Sequence, residues 1–176
     1  MQHPKLVLHL APSFDTLTLP PVDDVFIALG TTIKVAGSRE AFRAIDFDAV
    51  LSMARAGRTA GAARLAVVSA MGANSHSAVF YNRVKGEMED AVSRLGYDSV
   101  VIARPSLITG DRASLKQAQR AAEGLALKAT RWLNPLLPAN YRTVDAGDIA
   151  ATLVTSIKTS RSRHHVLLSG DLATQS

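Results

Sequence analysis

Three short apolar runs, each stopped at its carboxyl end by a small or rigid residue, most constrain what this chain can fold into. Residues 24–29 (DVFIAL) end at Gly30, residues 64–69 (RLAVVS) end in a serine, and residues 98–103 (DSVVIA) run into Arg104 and Pro105. Each is too short for a buried helix, rich in branched side chains and apolar without strict alternation, the pattern of strands covered on both faces. Longer segments with apolar residues at helical spacing lie between them. Ser38, followed by Glu40, opens one that reaches about Ala56, with Ala41, Phe42, Ile45, Ala49, Val50 and Met53 recurring along it. A second covers residues 78–95, with Phe80, Val84, Met88, Ala91, Val92 and Leu95 as its stripe and Gly96 as its stop.

Buried strands alternating with amphipathic helices predict an α/β fold, a Rossmann-like parallel sheet with helices on both faces. Two more helices are expected over residues 115–133 and 146–156, with Pro135 and Pro138 breaking the chain between them, and a last strand over 165–168. Residues 5–10 could form another strand, followed by a proline-marked stretch with little pattern. The length of 176 residues suits one domain, and 47% hydrophobic against 20% charged residues supplies enough apolar surface for a packed core.

Composition narrows the function. The chain has no cysteine, which removes disulfides and thiolate metal sites, and no His and carboxylate set has metal-ligand spacing, so no metal is expected. No apolar run approaches the roughly 20 residues that span a bilayer. His9 and Pro12 interrupt the early apolar run as an export signal, so a cytoplasmic protein is expected. The net charge of +5 suits an anionic ligand. Arg112, Lys116 and Arg120 on one helix face, and Lys158, Arg161, Arg163, His164 and His165 near the end, read as solvated surface charge. Without interleaved aromatics they give no sign of a nucleic-acid partner. A homo-oligomer is left open.

The chemistry concentrates in residues 67–89 (VVSAMGANSHSAVFYNRVKGEME). Tyr81 and Lys85 stand four apart on the second helix and can point at one spot. A protonated lysine beside a phenol favours the phenolate, although bringing a phenol from about 10 towards 7 needs roughly 4 kcal/mol. Ser69, at the carboxyl end of a strand, could hold a carbonyl while the phenol gives or takes a proton. The ordinary alternative is that Tyr81 packs beside Phe80 and that Lys85 is a surface cation paired with Glu89.

These motifs resemble the atypical short-chain dehydrogenase/reductases, in particular the small NAD(P)H-binding oxidoreductase group that includes the human Tat-interacting protein and its bacterial relatives. The similar stretches are ALGTTIKVAGSREAFRAIDFD (28–48), VVSAMGA (67–73), FYNRVKGEME (80–89), IARPSLITGDR (102–112) and VDAGDIA (144–150). Together they span residues 25–155 in the family's order. The resemblance implies Ser69, Tyr81 and Lys85 as catalytic residues, with Lys85 also reaching the nicotinamide ribose. It implies that Gly30, Thr31 and Thr32 pass the cofactor and that Arg104, Pro105 and Ser106 pass its nicotinamide end. The implied cofactor is NADP or NAD, and the implied partner is a small-molecule carbonyl or alcohol substrate. Residues 70–79 and 107–141 are expected to line its pocket.

The family opens with a strand and a G-x-x-G-x-x-G loop whose backbone and helix N-terminus hold the pyrophosphate. None of the 11 glycines forms that arrangement. The chain therefore reads as lacking the family's first strand-helix-strand unit. Weak dinucleotide binding is expected, and so is an exposed edge along residues 25–29, because the missing strand would be their neighbour. The same features leave two other expectations standing: a non-catalytic regulatory or interaction module with a vestigial site, and a nucleotide-sugar epimerase or dehydratase, which uses the same three residues.

Overall fold

The computed structural model describes residues 3–10, 14, 16–109, 138–159 and 163–173. Its centre is a four-stranded, all-parallel sheet in the order β1-β2-β3-β6, formed by β1 (Asp24–Ile27), β2 (Arg64–Val68), β3 (Ser99–Arg104) and β6 (His164–Leu168). The register sets Ile27 against Val67, Val67 against Ile102 and Ile102 against Val166. Neighbouring residues of β2 and β3 then feed two separate cores. Leu65, Val67, Val100 and Ile102 pack on one face with Val50, Leu51, Ala54, Met88 and Val92. Ala66, Val101, Ala103 and Leu167 pack on the other with Ile149, Leu153, Ile157 and Leu172. Burial on both faces is why β2 and β3 read as continuous apolar runs.

The first core is closed by α3 (Val50–Thr59) and α4 (Phe80–Ser93), with a short α1 (Ile33–Ala36) and α2 (Arg39–Arg43) ahead of them. The second is closed by α5 (Ala146–Thr159) and α6 (Ser169–Leu172). The expected sheet with helices on both faces is therefore present, and the fold is Rossmann-like. Among the described residues β1 is an edge, as expected: it pairs there only with β2, and Phe26 is 44% exposed on it. Ser38 caps α2 by accepting the Ala41 amide proton, and Gly96 follows α4 at φ +77°, a left-handed conformation that glycine adopts without strain.

Three local expectations need correction. Residues 5–10 form no strand: Lys5 lies in a turn in which the Leu6 amide donates to the His3 carbonyl at 2.9 Å, and Leu6, Val7, Leu8 and Leu10 are exposed with no ladder partner among the described residues. The helix expected from Ser38 to about Ala56 is interrupted by a π-helical segment, Ala44–Ala49, between α2 and α3. A small parallel pair, β4 (Leu107–Thr109) with β5 (Thr143–Asp145), has no counterpart in the sequence pattern, its three-residue strands being too short to show a period. The helix expected over 115–133, and with it Arg112, Lys116 and Arg120, falls outside the described residues.

Candidate functional site

The carboxyl ends of the parallel strands share one edge of the sheet, and the chain leaves each there with different chemistry. After β1 come Gly30, Thr31 and Thr32; after β2, Ser69; after β3, Pro105 and Ser106; after β6, Ser169 at the start of α6. Loop 70–79 folds back over α4: the Asn74 amide donates to the Asn82 carbonyl at 3.0 Å, and Gly86 gives it room. A Cβ at Gly86 would stand 2.1 Å from the Ser75 nitrogen. The loop between Ser69 and Tyr81 is thus laid against the helix that carries Tyr81 and Lys85.

Lys85 is not the surface cation paired with Glu89 that the ordinary reading offered. It is buried, and its Nζ lies 2.6 Å from Oδ1 of Asp46, a side chain with no solvent exposure. The other oxygen, Oδ2, accepts the Thr31 amide proton at 2.8 Å. Gly30 packs over the pair: a Cβ there would stand 3.2 Å from Asp46 Oδ1 and 3.5 Å from Lys85 Nζ. Asp46 lies in the π-helical segment, and its position on the helix follows an unbroken i, i+4 line of buried residues, Phe42, Asp46, Val50 and Ala54. The apolar stripe expected from sequence runs through Ile45 and misses Asp46. An aspartate in the middle of a buried apolar line was the available signal.

Tyr81 is half-buried, with its ring 5.3 Å from that of Phe42. Burial, and next the Asp46 carboxylate, push its phenol above the ordinary tyrosine value. That corrects the expectation that Lys85 lowers it: the ammonium is matched by a carboxylate, and desolvation disfavours the phenolate. The phenol is accordingly held in its protonated, donor form at neutral pH. Ser69 is buried, its amide donates to the Ala103 carbonyl at 2.7 Å, and its hydroxyl oxygen has no hydrogen-bond partner.

The remaining predicted positions are engaged in holding this edge together. The Arg104 guanidinium forms a two-pronged pair with buried Glu89, Nε to Oε1 at 3.0 Å and Nη2 to Oε2 at 2.5 Å. The Pro105 carbonyl accepts the Met71 amide proton at 3.0 Å. The Ser106 amide donates to Ser169 Oγ at 2.8 Å, and its hydroxyl donates to the Arg142 carbonyl at 2.6 Å. Thr32 caps α1, accepting the Val35 amide proton at 3.3 Å. The geometry therefore gathers Gly30, Thr31 and Lys85 around Asp46, whereas the Arg104 side chain is turned to Glu89. Among the described residues, no group of three or more His, Cys, Asp and Glu is placed to hold a metal, and no helix is long and apolar enough to cross a membrane.

No family model matches the chain. It is 42% identical over 110 residues to the mitochondrial protein Fmp52 of Emericella nidulans, covering 62% of this chain and 47% of that protein. To Fmp52 of Candida albicans it is 35% identical over 133 residues, covering 74% and 57%. The chain thus spans about half the length of the curated relatives it matches. These relatives are named as mitochondrial, which overturns the cytoplasmic location expected from the sequence. Among solved structures it is similar to MoeE5 in complex with UDP-glucose and NAD (TM-score 0.64, 13% identity, 90% of this chain and 61% of that one). It is also similar to RMD from Pseudomonas aeruginosa complexed with NADPH (TM-score 0.60, 16% identity, 89% and 62%). A UDP-glucose 4-epimerase from Thermotoga maritima shares the fold as well (TM-score 0.59, 13% identity, 84% and 56%).

Proposed function

We propose that this chain carries the proton-transfer side of an NAD(P)-dependent oxidoreductase of the short-chain dehydrogenase/reductase type, acting on a small carbonyl or alcohol. The observation that carries the reading is the Ser69 hydroxyl, buried and without a partner at the carboxyl edge of a parallel sheet. A buried hydroxyl left unpaired costs about 1–3 kcal/mol, and a ligand oxygen would relieve that cost. Tyr81 supplies the acid: kept protonated by burial, it gives its proton to a carbonyl oxygen that Ser69 orients. Lys85, charged and aimed at the loop after β1, binds ribose hydroxyls, and Gly30 lets that loop come close. The nicotinamide, when bound, supplies or accepts the hydride.

The residues present fit the nicotinamide end of such a cofactor. The pyrophosphate end has no counterpart here, since the sequence contains no G-x-x-G-x-x-G. The expectation of weak dinucleotide binding by these 176 residues therefore stands as part of the proposal. The likeness to folds solved with NAD and NADPH supports the reading.

The test compares the chain with a form extended at its N-terminus by a glycine-rich strand-helix-strand unit. NADPH and NADH binding is measured by calorimetry, and turnover is measured with a panel of aldehydes and ketones. Tyr81→Phe is expected to abolish turnover in the extended form and leave cofactor affinity within about twofold. Unchanged turnover in that variant would reject Tyr81 as the acid and with it this reading, and no turnover with no binding in the extended form would reject the reading in favour of a non-catalytic module.

A further inference from the structure

We propose that Asp46 is the positioning residue of this site, a single buried carboxylate that fixes both the loop after β1 and the ammonium of Lys85. The proposal rests on the reading of Lys85 as the group that meets the cofactor ribose. The two carboxylate oxygens divide the contacts between them. Oδ2 accepts the Thr31 amide proton at 2.8 Å, and Oδ1 faces Lys85 Nζ at 2.6 Å. At 2.6 Å the second contact is a close ion pair that holds the ammonium in place. On this proposal the N–H donors of Lys85 not turned to Asp46 serve ligand hydroxyls.

Two further observations bear on the assignment. Asp46 replaces an apolar residue in the buried line Phe42, Val50, Ala54, where an apolar side chain would serve stability at least as well as an ion pair. The π-helical segment Ala44–Ala49 is centred on it. Such widened turns shift a side chain out of the regular helical register, and they recur at functional positions. Gly30 completes the arrangement, because a Cβ there would crowd Asp46 Oδ1 at 3.2 Å and lie against Lys85 Nζ at 3.5 Å.

The experiment uses the chain itself with Asp46→Asn, Asp46→Ala and Gly30→Ala. Lys85 acetylation by limiting acetic anhydride is followed by mass spectrometry against the exposed Lys34 and Lys158, and Thr31 amide exchange is followed by NMR. In the parent chain Lys85 is expected to label about tenfold or more slowly than Lys34. Asparagine keeps an oxygen for the Thr31 amide and loses the charge, so Asp46→Asn should speed Lys85 labelling while Thr31 stays protected. Asp46→Ala should release both. Gly30→Ala, which keeps both charges but crowds Asp46 Oδ1, should speed Lys85 labelling by displacing the pair. Equal loosening at Thr31, Lys85 and the remote Val100 amide in all variants would overturn the proposal in favour of a packing role, as would labelling of Lys85 at the parent rate in Asp46→Asn. In the extended form, Asp46→Asn is also expected to weaken NADPH binding about tenfold. If Lys85 and Thr31 follow Asp46 as stated but no form binds NADPH or NADH, the positioning role survives and the oxidoreductase reading fails.

Discussion

Replacing Gly86 by alanine tests how tightly the loop between Ser69 and Tyr81 is tied to α4. An added Cβ would meet the Ser75 nitrogen at 2.1 Å, the Asn74 carbonyl carbon at 2.2 Å and the Asn74 Cα at 2.6 Å. All three are backbone atoms, so no rotamer change can relieve the clash. Restoring an ordinary contact needs a loop shift of about 1.3 Å. That shift breaks the Asn74 N–H bond to the Asn82 carbonyl, worth about 1 kcal/mol. Overpacking adds about 1–3 kcal/mol, and the better helix propensity of alanine returns about 1 kcal/mol. The net expectation is a loss of about 2 kcal/mol, which in a chain of this size lowers Tm by about 4–8 °C. Urea unfolding and thermal melting measure the loss, and amide exchange at Asn74 reports its location. A Tm equal to or above that of the parent would refute the reasoning, since it would mean that the loop accommodates the methyl group without leaving the helix.

Other substitutions separate stability from function. Ser69→Ala removes a hydroxyl with no partner, so urea unfolding should show unchanged stability or a gain of up to about 1 kcal/mol, while turnover in the extended form is lost. A clear stability loss would show that the hydroxyl is paired after all. Arg104→Ala strands the buried Glu89 carboxylate and should cost about 3 kcal/mol in urea unfolding, whereas Arg104→Ala combined with Glu89→Leu should recover most of it. The Tyr97 hydroxyl donates to the Ala54 carbonyl at 2.6 Å, and burial pushes its phenol up to about 12. Because the folded value exceeds the unfolded one of about 10, this contribution is full below about pH 10 and is lost as pH rises towards 12. Tyr97→Phe should therefore flatten the alkaline fall in Tm between those limits.

The architecture was legible because its signal is local. DVFIAL, RLAVVS and DSVVIA are strands for the reason that they are apolar on both faces, and the α4 stripe of Val84, Met88 and Val92 is buried where helical spacing puts it. The site was legible only in outline. Tyr81 and Lys85 share a helix and Ser69 ends a strand, yet spacing along the chain says nothing about what stands opposite them. Asp46, 39 residues before Lys85, is marked only by its place in the apolar line of Phe42, Val50 and Ala54, and that spacing does not say which charge it meets. The position of Arg104 places its segment at the carboxyl edge of the sheet, but the side chain's partner, Glu89, comes from a helix 15 residues away.

The sequence by itself determined the order and type of the main elements, the parallel sheet and the strand ends at which chemistry could gather. These follow from side-chain periodicity, which is a property of neighbours in the chain. Tertiary structure alone decided which charges meet. It set Lys85 on Asp46 and Arg104 on Glu89, left Ser69 Oγ without a partner, and held the Tyr81 phenol up where the sequence pointed to its lowering. Pairing and desolvation depend on distance and burial in space, and both arise only once α4 lies against the π-helical segment and the loop after β1.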